Sequence, residues 1–426
     1  MRVLFISKEG DGLGVAQRVA FEGHAVDVYI RDFHFERAGR GLVHRVPEWR
    51  GAARRADLII ADCVGLGSCE EAIRSAGRPS IGFSRALDAL ELDRQKGMEL
   101  FEQVGISTPE THSFGSKSDA LKLPAKHGWG DGWVIKGSGN LANDKTAVVK
   151  DQALWPRAVE ALPDTCRGIC QRVVSGVEVS TEGWFNGSSF IRPFNHTFED
   201  KRFLAGDLGQ NTGCMGNIVI RADGNKLTKE TIERVEPFLK LLGYRGPFDL
   251  NCIVNADGAH ALEATSRMGY DAVEALIEGL DEPFGDFLFD VAMGTKKDMK
   301  LTADTMIAVR LSVPPWPMRR PNADSAGEPI MGIDDATLHH LFLEDIEKKG
   351  DAYITAGADG VLLKATAVGS VTPPKVARHR PDYTYEARRR VYRLLDRITV
   401  ANKQYRTDIG GRANEDIAQL REWGWL

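Results

Sequence analysis

Apolar and polar positions follow two periods along the chain. Arg2–Ser7, Ala25–Ile30 and Asp57–Ala61 are short apolar runs, and Val15–Glu22 between them repeats at helical spacing. Apolar strands separated by a helix predict βαβ units and a small open parallel sheet over residues 1 to about 90. Ala86–Val104 predicts one charged amphipathic helix, closed by Gly105-Ile106-Ser107-Thr108-Pro109, because proline cannot continue it. Trp133–Lys136 and Thr146–Val149 predict strands around a glycine-bearing loop, and Ile169–Ser180 a strand bent at Ser175-Gly176. Phe248–Val254 and His260–Thr265 predict a hairpin turning at Asn255-Ala256-Asp257-Gly258. Asp271–Met293 has a helical pattern, Met306–Val313, Ala352–Ile354 and Gly360–Ala365 read as strands, and Tyr383–Ile398 as an arginine-rich helix.

A chain of 426 residues divides into two to four lobes. Its net charge of −5 argues against coating nucleic acid or an anionic membrane. No apolar run approaches the roughly 20 residues that span a bilayer, and the first residues read as a strand and not as a signal peptide. These features lead us to expect a cytoplasmic protein that is a monomer or a small homo-oligomer. The six cysteines have neither the spacing nor the histidine partners of a zinc site and read as free thiols.

Candidate chemistry lies in four places. Gly10-Asp11-Gly12-Leu13-Gly14 follows a strand and opens a helix, where a phosphate could sit, but it is a weak dinucleotide fingerprint. Lys136, Gly137-Ser138-Gly139-Asn140 and Lys145 form a strand–loop–lysine unit that suits a flap over a polyphosphate, without being a Walker loop. In the hairpin, Asp249 and Asn251 lie two apart and share a face, and Glu263 can meet them across the turn. Oxygen groups gathered in this way suit Mg²⁺. Finally, Asp200-Lys201-Arg202…Gly206-Asp207-Leu208-Gly209-Gln210-Asn211-Thr212-Gly213-Cys214-Met215-Gly216 lacks apolar periodicity and brings amides and short side chains toward an anion.

This last segment resembles the "DHKR…GDxGPNTGGMG" signature of the glycinamide ribonucleotide synthetase family, within the ATP-grasp superfamily. Four other segments match in register: Val134-Ile135-Lys136…Lys145, Gly176-Val177-Glu178-Val179-Ser180, Ala261–Gly269 and Tyr405–Ala413. The resemblance implies an α/β and α+β multidomain ATP-grasp fold: an open parallel domain over 1–92, an ATP-grasp domain over 93–298 with a lid at about 111–170, and a mixed domain over 299–426. It further implies an ADP-forming ligase that joins a small carboxylate, such as glycine, to an amine through an acyl phosphate. ATP and Mg²⁺ (or Mn²⁺) are implied with it. By the same resemblance Lys96, Lys136, Lys145 and Glu178 serve the nucleotide, and Glu263, Asn251, Asp249 and Thr265 the metal. Arg267, Lys145 and Asn211 act in catalysis, and Asp207, Asn211, Thr212, Gly213 and Gly12 line the substrates.

The departures fall on the substrate side. The family's "GxGGREHA" phosphate cradle is replaced by Gly10-Asp11-Gly12-Leu13-Gly14-Val15-Ala16, which brings in an acid, and "GPExPL" by Asp62–Gly67. Thr265 and Tyr270 replace an asparagine and an aspartate, Gln171-Arg172 an acidic hinge pair, and Gln210 and Cys214 a proline and a glycine. Two alternatives therefore stand beside the purine-pathway reaction: a ligase for another carboxylate and a non-phosphoribosyl amine, and a nucleotide-binding relative without turnover.

Overall fold

The computed structural model describes residues 1–138, 146–318, 325–369 and 384–426. The N-terminal part is a parallel five-stranded sheet of β1 (Arg2–Ser7), β2 (Ala25–Ile30), β3 (His44–Arg45), β4 (Leu58–Ala61) and β5 (Ser80–Ile81), in the order β3-β2-β1-β4-β5. β1 is buried at every position after Arg2, as befits a central strand covered on both faces. The sheet is flanked by α1 (Leu13–Phe21), α2 (Trp49–Ala53) and α3 (Glu70–Ser75).

The single helix expected over 86–104 is two, α4 (Arg85–Leu92) and α5 (Arg94–Gln103). Asp93 leaves helical geometry (φ −116°, ψ 98°), and its carboxylate accepts from the Gln95 N–H to cap α5. A four-stranded antiparallel sheet follows, with β6 (Thr111–Phe114), β7 (Trp133–Gly137), β8 (Thr146–Val149) and β9 (Gly168–Arg172) in the order β6-β9-β7-β8. Its own core of Trp133, Ile135 and Trp155 packs under α6 (Lys117–His127) and α7 (Trp155–Glu160).

The bent strand expected over 169–180 is also two strands in different sheets, because the chain crosses at residues 173–176 from β9 into β10 (Val177–Asn186). β10 belongs to the central antiparallel sheet with β11 (Phe190–Glu199), β14 (Gly216–Ala222), β15 (Arg245–Val254), β16 (Ala259–Thr265), β17 (Thr305–Ser312), β19 (Leu341–Leu343) and β22 (Val361–Val368). The order is β16-β15-β10-β11-β14-β17-β22-β19, so strands from beyond residue 298 extend the sheet that carries the hairpin. Between these strands lie the small hairpin β12 (Arg202–Leu204)–β13 (Leu208–Asn211) and a three-stranded sheet of β18 (Pro329–Ile330), β20 (Ile346–Lys349) and β21 (Ala352–Thr355).

The remaining helices are α8 (Lys226–Glu230), α9 (Glu236–Leu242), α10 (Ala272–Gly279), α11 (Phe284–Met293), α12 (Asp335–Leu338), α13 (Tyr385–Arg397) and α14 (Ala413–Glu422). The helical stretch expected over 271–293 breaks between α10 and α11, since Pro283 disfavours helical backbone at the residue before it.

Strand alternation assigns the two faces of the central sheet. Val177, Val179 and Phe185 of β10 and Phe248, Leu250, Cys252 and Val254 of β15 enter the main apolar core. Trp184, on the opposite face, meets Phe284 and Phe287 of α11 edge-on at 5.8 and 5.2 Å. The N-terminal sheet docks through α1, where Gly14 lies so close to β19 that a Cβ would stand 2.5 Å from Phe342.

Candidate active site

The face of β10 that bears Trp184 is polar toward its other end. Register aligns Thr265, Asp249, Glu182 and Asn195 as one rung across β16, β15, β10 and β11. Glu263, Asn251, Ser180 and Thr197 form the next. Thr265 is in line with Asp249 Oδ2 at 3.4 Å, Asn251 donates to Ser180 Oγ (3.2 Å) and to Glu178 (3.4 Å), and Asn195 donates to Glu182 (3.3 Å) and Thr197 (3.2 Å). These bonds leave Glu182 Oε1, Asn195 Oδ1, Asp249 Oδ1 and Asn251 Oδ1 buried with no partner among the described residues. Orphaned buried oxygens are costly unless something binds them. Burial drives the Glu182 carboxyl up to about 7 and raises Asp249 and Glu199 as well. These four oxygens share one face of three adjacent strands, and carboxylates and amides are the donor types a hard divalent cation takes.

A ring of opposite charge closes over this floor. Arg94, in the first turn of α5, bonds Glu263, and its guanidinium holds the Glu263 carboxyl well below the usual carboxylate range. Lys201 reaches Glu178 at 2.7 Å and Glu199 at 3.2 Å, and Lys201 is the main cause of the lowered Glu178 value. Lys136, at the end of β7, is buried, and loss of water brings its ammonium down to about 8 against the opposing pull of Glu263. Arg267 forks onto Glu91 of α4 with bonds of 3.2 and 3.1 Å. Its guanidinium lies 5.5 Å from the Tyr270 ring.

The structure thus brings Lys136, Glu178, Asn251, Asp249, Thr265 and Glu263 into one cluster, with Arg267 at its Glu91 side. Lys96 is exposed on α5, away from the Arg94 contact to Glu263. Lys145 lies outside the described residues. Asp207 is engaged by Arg406 (3.0 Å) and Arg412 (2.7 Å), and Asp408 accepts from the Gly206 N–H at 2.8 Å. The closing motif therefore clamps the loop. Thr212 donates through both N and Oγ1 to the Lys201 carbonyl at 2.8 Å, with Asn211 and Gly213 exposed beside it. Gln210 donates to the Pro317 carbonyl (3.1 Å), and Cys214 is buried with its sulfur against Gly216, so its side chain faces the core. At the hinge, Gln171 donates to Thr111 (3.0 Å), while Arg172 pairs with Glu110 (3.0 Å) and stacks 4.1 Å from Trp133.

Sequence reasoning gave no role to Arg94, Lys201, Glu91, Glu182 or Asn195. The period of β10 and β11 carried the hint for Glu182 and Asn195, which sit on the same strand faces as their polar neighbours.

A polar floor on the central sheet, a separate four-stranded sheet and an open parallel domain make up an ATP-grasp fold. Residues 94–247 match the profile of the phosphoribosylglycinamide synthetase ATP-grasp (A) domain. The chain is 29% identical to the phosphoribosylamine–glycine ligase of Streptomyces coelicolor over 97% of its own length and 99% of that protein. It is 26% identical to that of Leifsonia xyli, covering 80% of each. The crystal structure of the Thermotoga maritima phosphoribosylamine–glycine ligase superposes with a TM-score of 0.74 at 19% identity, over 96% of this chain and 100% of that one, a likeness of fold. Residues 94–247 thus match that family's ATP-grasp (A) domain, and the chain along most of its length is similar to phosphoribosylamine–glycine ligases. No helix among the described residues is long and apolar enough to cross a membrane.

Proposed function

We propose that the protein is an ADP-forming carboxylate–amine ligase that works through an acyl phosphate. The observation that carries this reading is the facing of two charge sets: the cations Lys136, Arg94, Lys201 and Arg267 against an oxygen floor from four adjacent strands. A carboxylate is a poor electrophile until one of its oxygens becomes a leaving group. Here a carboxylate oxygen attacks the γ-phosphorus of ATP and ADP departs. The amine nitrogen then attacks the acyl carbon, phosphate leaves with that oxygen, and the surplus amine proton is lost. Such transfer is catalysed by positioning and charge stabilisation, not by protein covalent chemistry.

Lys136 and Lys201 hold phosphate oxygens in this reading, and Lys145, outside the described residues, is assigned to the nucleotide by the family resemblance alone. Glu178 lies along the nucleotide cleft, and the exposed Lys96 attracts the nucleotide from outside it. Arg267, fixed by Glu91, steadies the transferring phosphoryl group. Glu263, Asn251 and Asp249, with Thr265 beside them, would hold Mg²⁺ or Mn²⁺, which would offset phosphate charge there. Asn211, Thr212 and Gly213 line the floor where carboxylate meets amine, and Asp207 holds their loop through Arg406. Glycine, named in the relatives' activity, is the carboxylate we assign; their amine, phosphoribosylamine, meets an altered loop at Gly12.

Hydroxylamine trapping tests the reading. With Mg²⁺-ATP and a panel of amino acids, glycine is expected to give hydroxamate and ADP in equal amounts. ATP binding without hydroxamate from any amino acid favours a relative that lost turnover.

A further inference from the structure

The four-stranded sheet of β6, β7, β8 and β9 carries chemistry on both faces. Thr111, Val134 and Gln171 share one face with Lys136. His112, paired with Cys170, lies on the opposite face, where the sheet packs its own core of Trp133 and Ile135. The ligase reading makes no use of that face.

Three metal-ligating side chains meet there. Glu110 and His112 lie two apart at the start of β6 and so point the same way. His127 is the last residue of α6, which ends at Gly128 with a φ of 78°. One ligand atom from each of the three lies within 4.8 Å of the other two. His112 Nε2 is 2.8 Å from Glu110 Oε1, and His127 Nδ1 is 4.0 Å from the same oxygen. The two imidazoles stack with centroids 3.6 Å apart, and each turns a nitrogen toward that one carboxylate oxygen. Zinc bonds of about 2.0–2.2 Å set tetrahedral ligands about 3.3 Å apart, so shifts of about 1 Å close the trio on a single ion.

Each ligand is held from behind. Arg172 donates to Glu110 Oε2 at 3.0 Å, which fixes the carboxylate with Oε1 turned to the histidines. The same guanidinium donates to the carbonyls of His127, Gly128 (2.9 Å) and Trp129 (2.8 Å), and pins the end of α6 against β9. Trp133, fully buried, backs both imidazoles at 5.8 and 6.5 Å. The outer side is open. Glu110 is exposed and both histidines partly so, which gives an ion a way in and leaves room for water as a fourth ligand.

Donor type decides which ion fits. Two imidazoles and one carboxylate suit Zn²⁺ and neighbouring transition metals, whereas Mg²⁺ takes oxygen ligands. We propose that Glu110, His112 and His127 form a second metal site, for Zn²⁺ or a similar transition-metal ion. Binding would release the proton that lies between His112 and Glu110. It would also tie the edge strand β6 to the end of α6, beside the point where the chain crosses from β9 to β10.

The untagged full chain, stripped of metal, is titrated with Zn²⁺ in excess Mg²⁺ by competition against a chromophoric chelator. One Zn²⁺ per chain should bind, and Mg²⁺ should not displace it. His112→Ala, His127→Ala and Glu110→Gln should each weaken binding at least about tenfold. Co²⁺ in place of Zn²⁺ should give the strong visible absorption of a four-coordinate site, and His112→Ala should lose it. Absence of Zn²⁺ binding by the wild type overturns the inference, whether or not a variant folds. An affinity unchanged in both histidine variants overturns it too, as does displacement of Zn²⁺ by Mg²⁺. The titration reads no turnover, so its failure leaves the ligase reading untouched.

Discussion

Arg94 and Glu263 meet across the cleft between α5 and β16, and this contact holds the Glu263 carboxylate charged. The pair belongs to neither element's local logic: it joins a helix start set by Asp93 to a strand face set by the pleat. In the proposed reading it would prepare an anionic oxygen for a divalent cation and keep Arg94 in place for the nucleotide.

Glu263→Gln should therefore lower ADP formation at least about a hundredfold, the scale seen when a group that stabilises developing charge is removed. The folded protein should persist, with melting reduced by a few degrees because Arg94 loses its counter-charge. Activity within a few-fold of wild type would refute the metal role.

Lys136 should make nucleotide affinity fall as pH rises. Its folded value of about 8 lies below that of a free lysine because burial disfavours the charged form, so the ammonium is lost as pH climbs through that value. The ATP Kd of wild type should rise severalfold between about pH 7 and pH 9. In Lys136→Met it should be weaker at the lower pH and nearly flat across the interval. Equilibrium titration at several pH values checks both.

Arg267→Lys keeps the charge and loses the fork onto Glu91. kcat should drop at least about a hundredfold while the ATP Kd changes little, because the planar guanidinium acts on the transferring group and not on resting nucleotide. An equal rise in Kd with unchanged kcat would assign Arg267 to binding.

Arg406, 2% exposed, holds Asp200, Asp207 and Asp408 together. Arg406→Ala should destabilise the fold by about 2 kcal/mol, because the buried Asp200 keeps only the longer ion pair to Arg412 while solvent screens the partly exposed Asp207 and Asp408. Amide exchange in residues 202–211 should accelerate more than in β10. Lysine at this position should rescue only partly, since one point charge cannot bond several carboxylates.

The hairpin face was legible in the sequence because strand spacing alone places Asp249 with Asn251, and one short turn places Glu263 opposite. The parallel N-terminal sheet was legible for the same reason: its strands are apolar runs spaced by a helical pattern. Arg94 was hidden inside a charged stretch that also contains Lys96, and only the break at Asp93 decides which of the two faces Glu263. Lys201 follows β11 in a segment tied down by Arg406, some 200 residues away, a contact that no local period encodes. The continuation of the central sheet through β17 and β22 was similarly out of reach, because long-range strand order leaves no trace in the alternation of a single strand.

The central claim is that the carboxylate is activated as an acyl phosphate on this polar floor. Glycine labelled with ¹⁸O in its carboxylate, turned over with Mg²⁺-ATP and an accepted amine, tests it by mass analysis of the phosphate released. The account predicts one labelled oxygen in phosphate for each amide formed. Amide formation with unlabelled phosphate would contradict it.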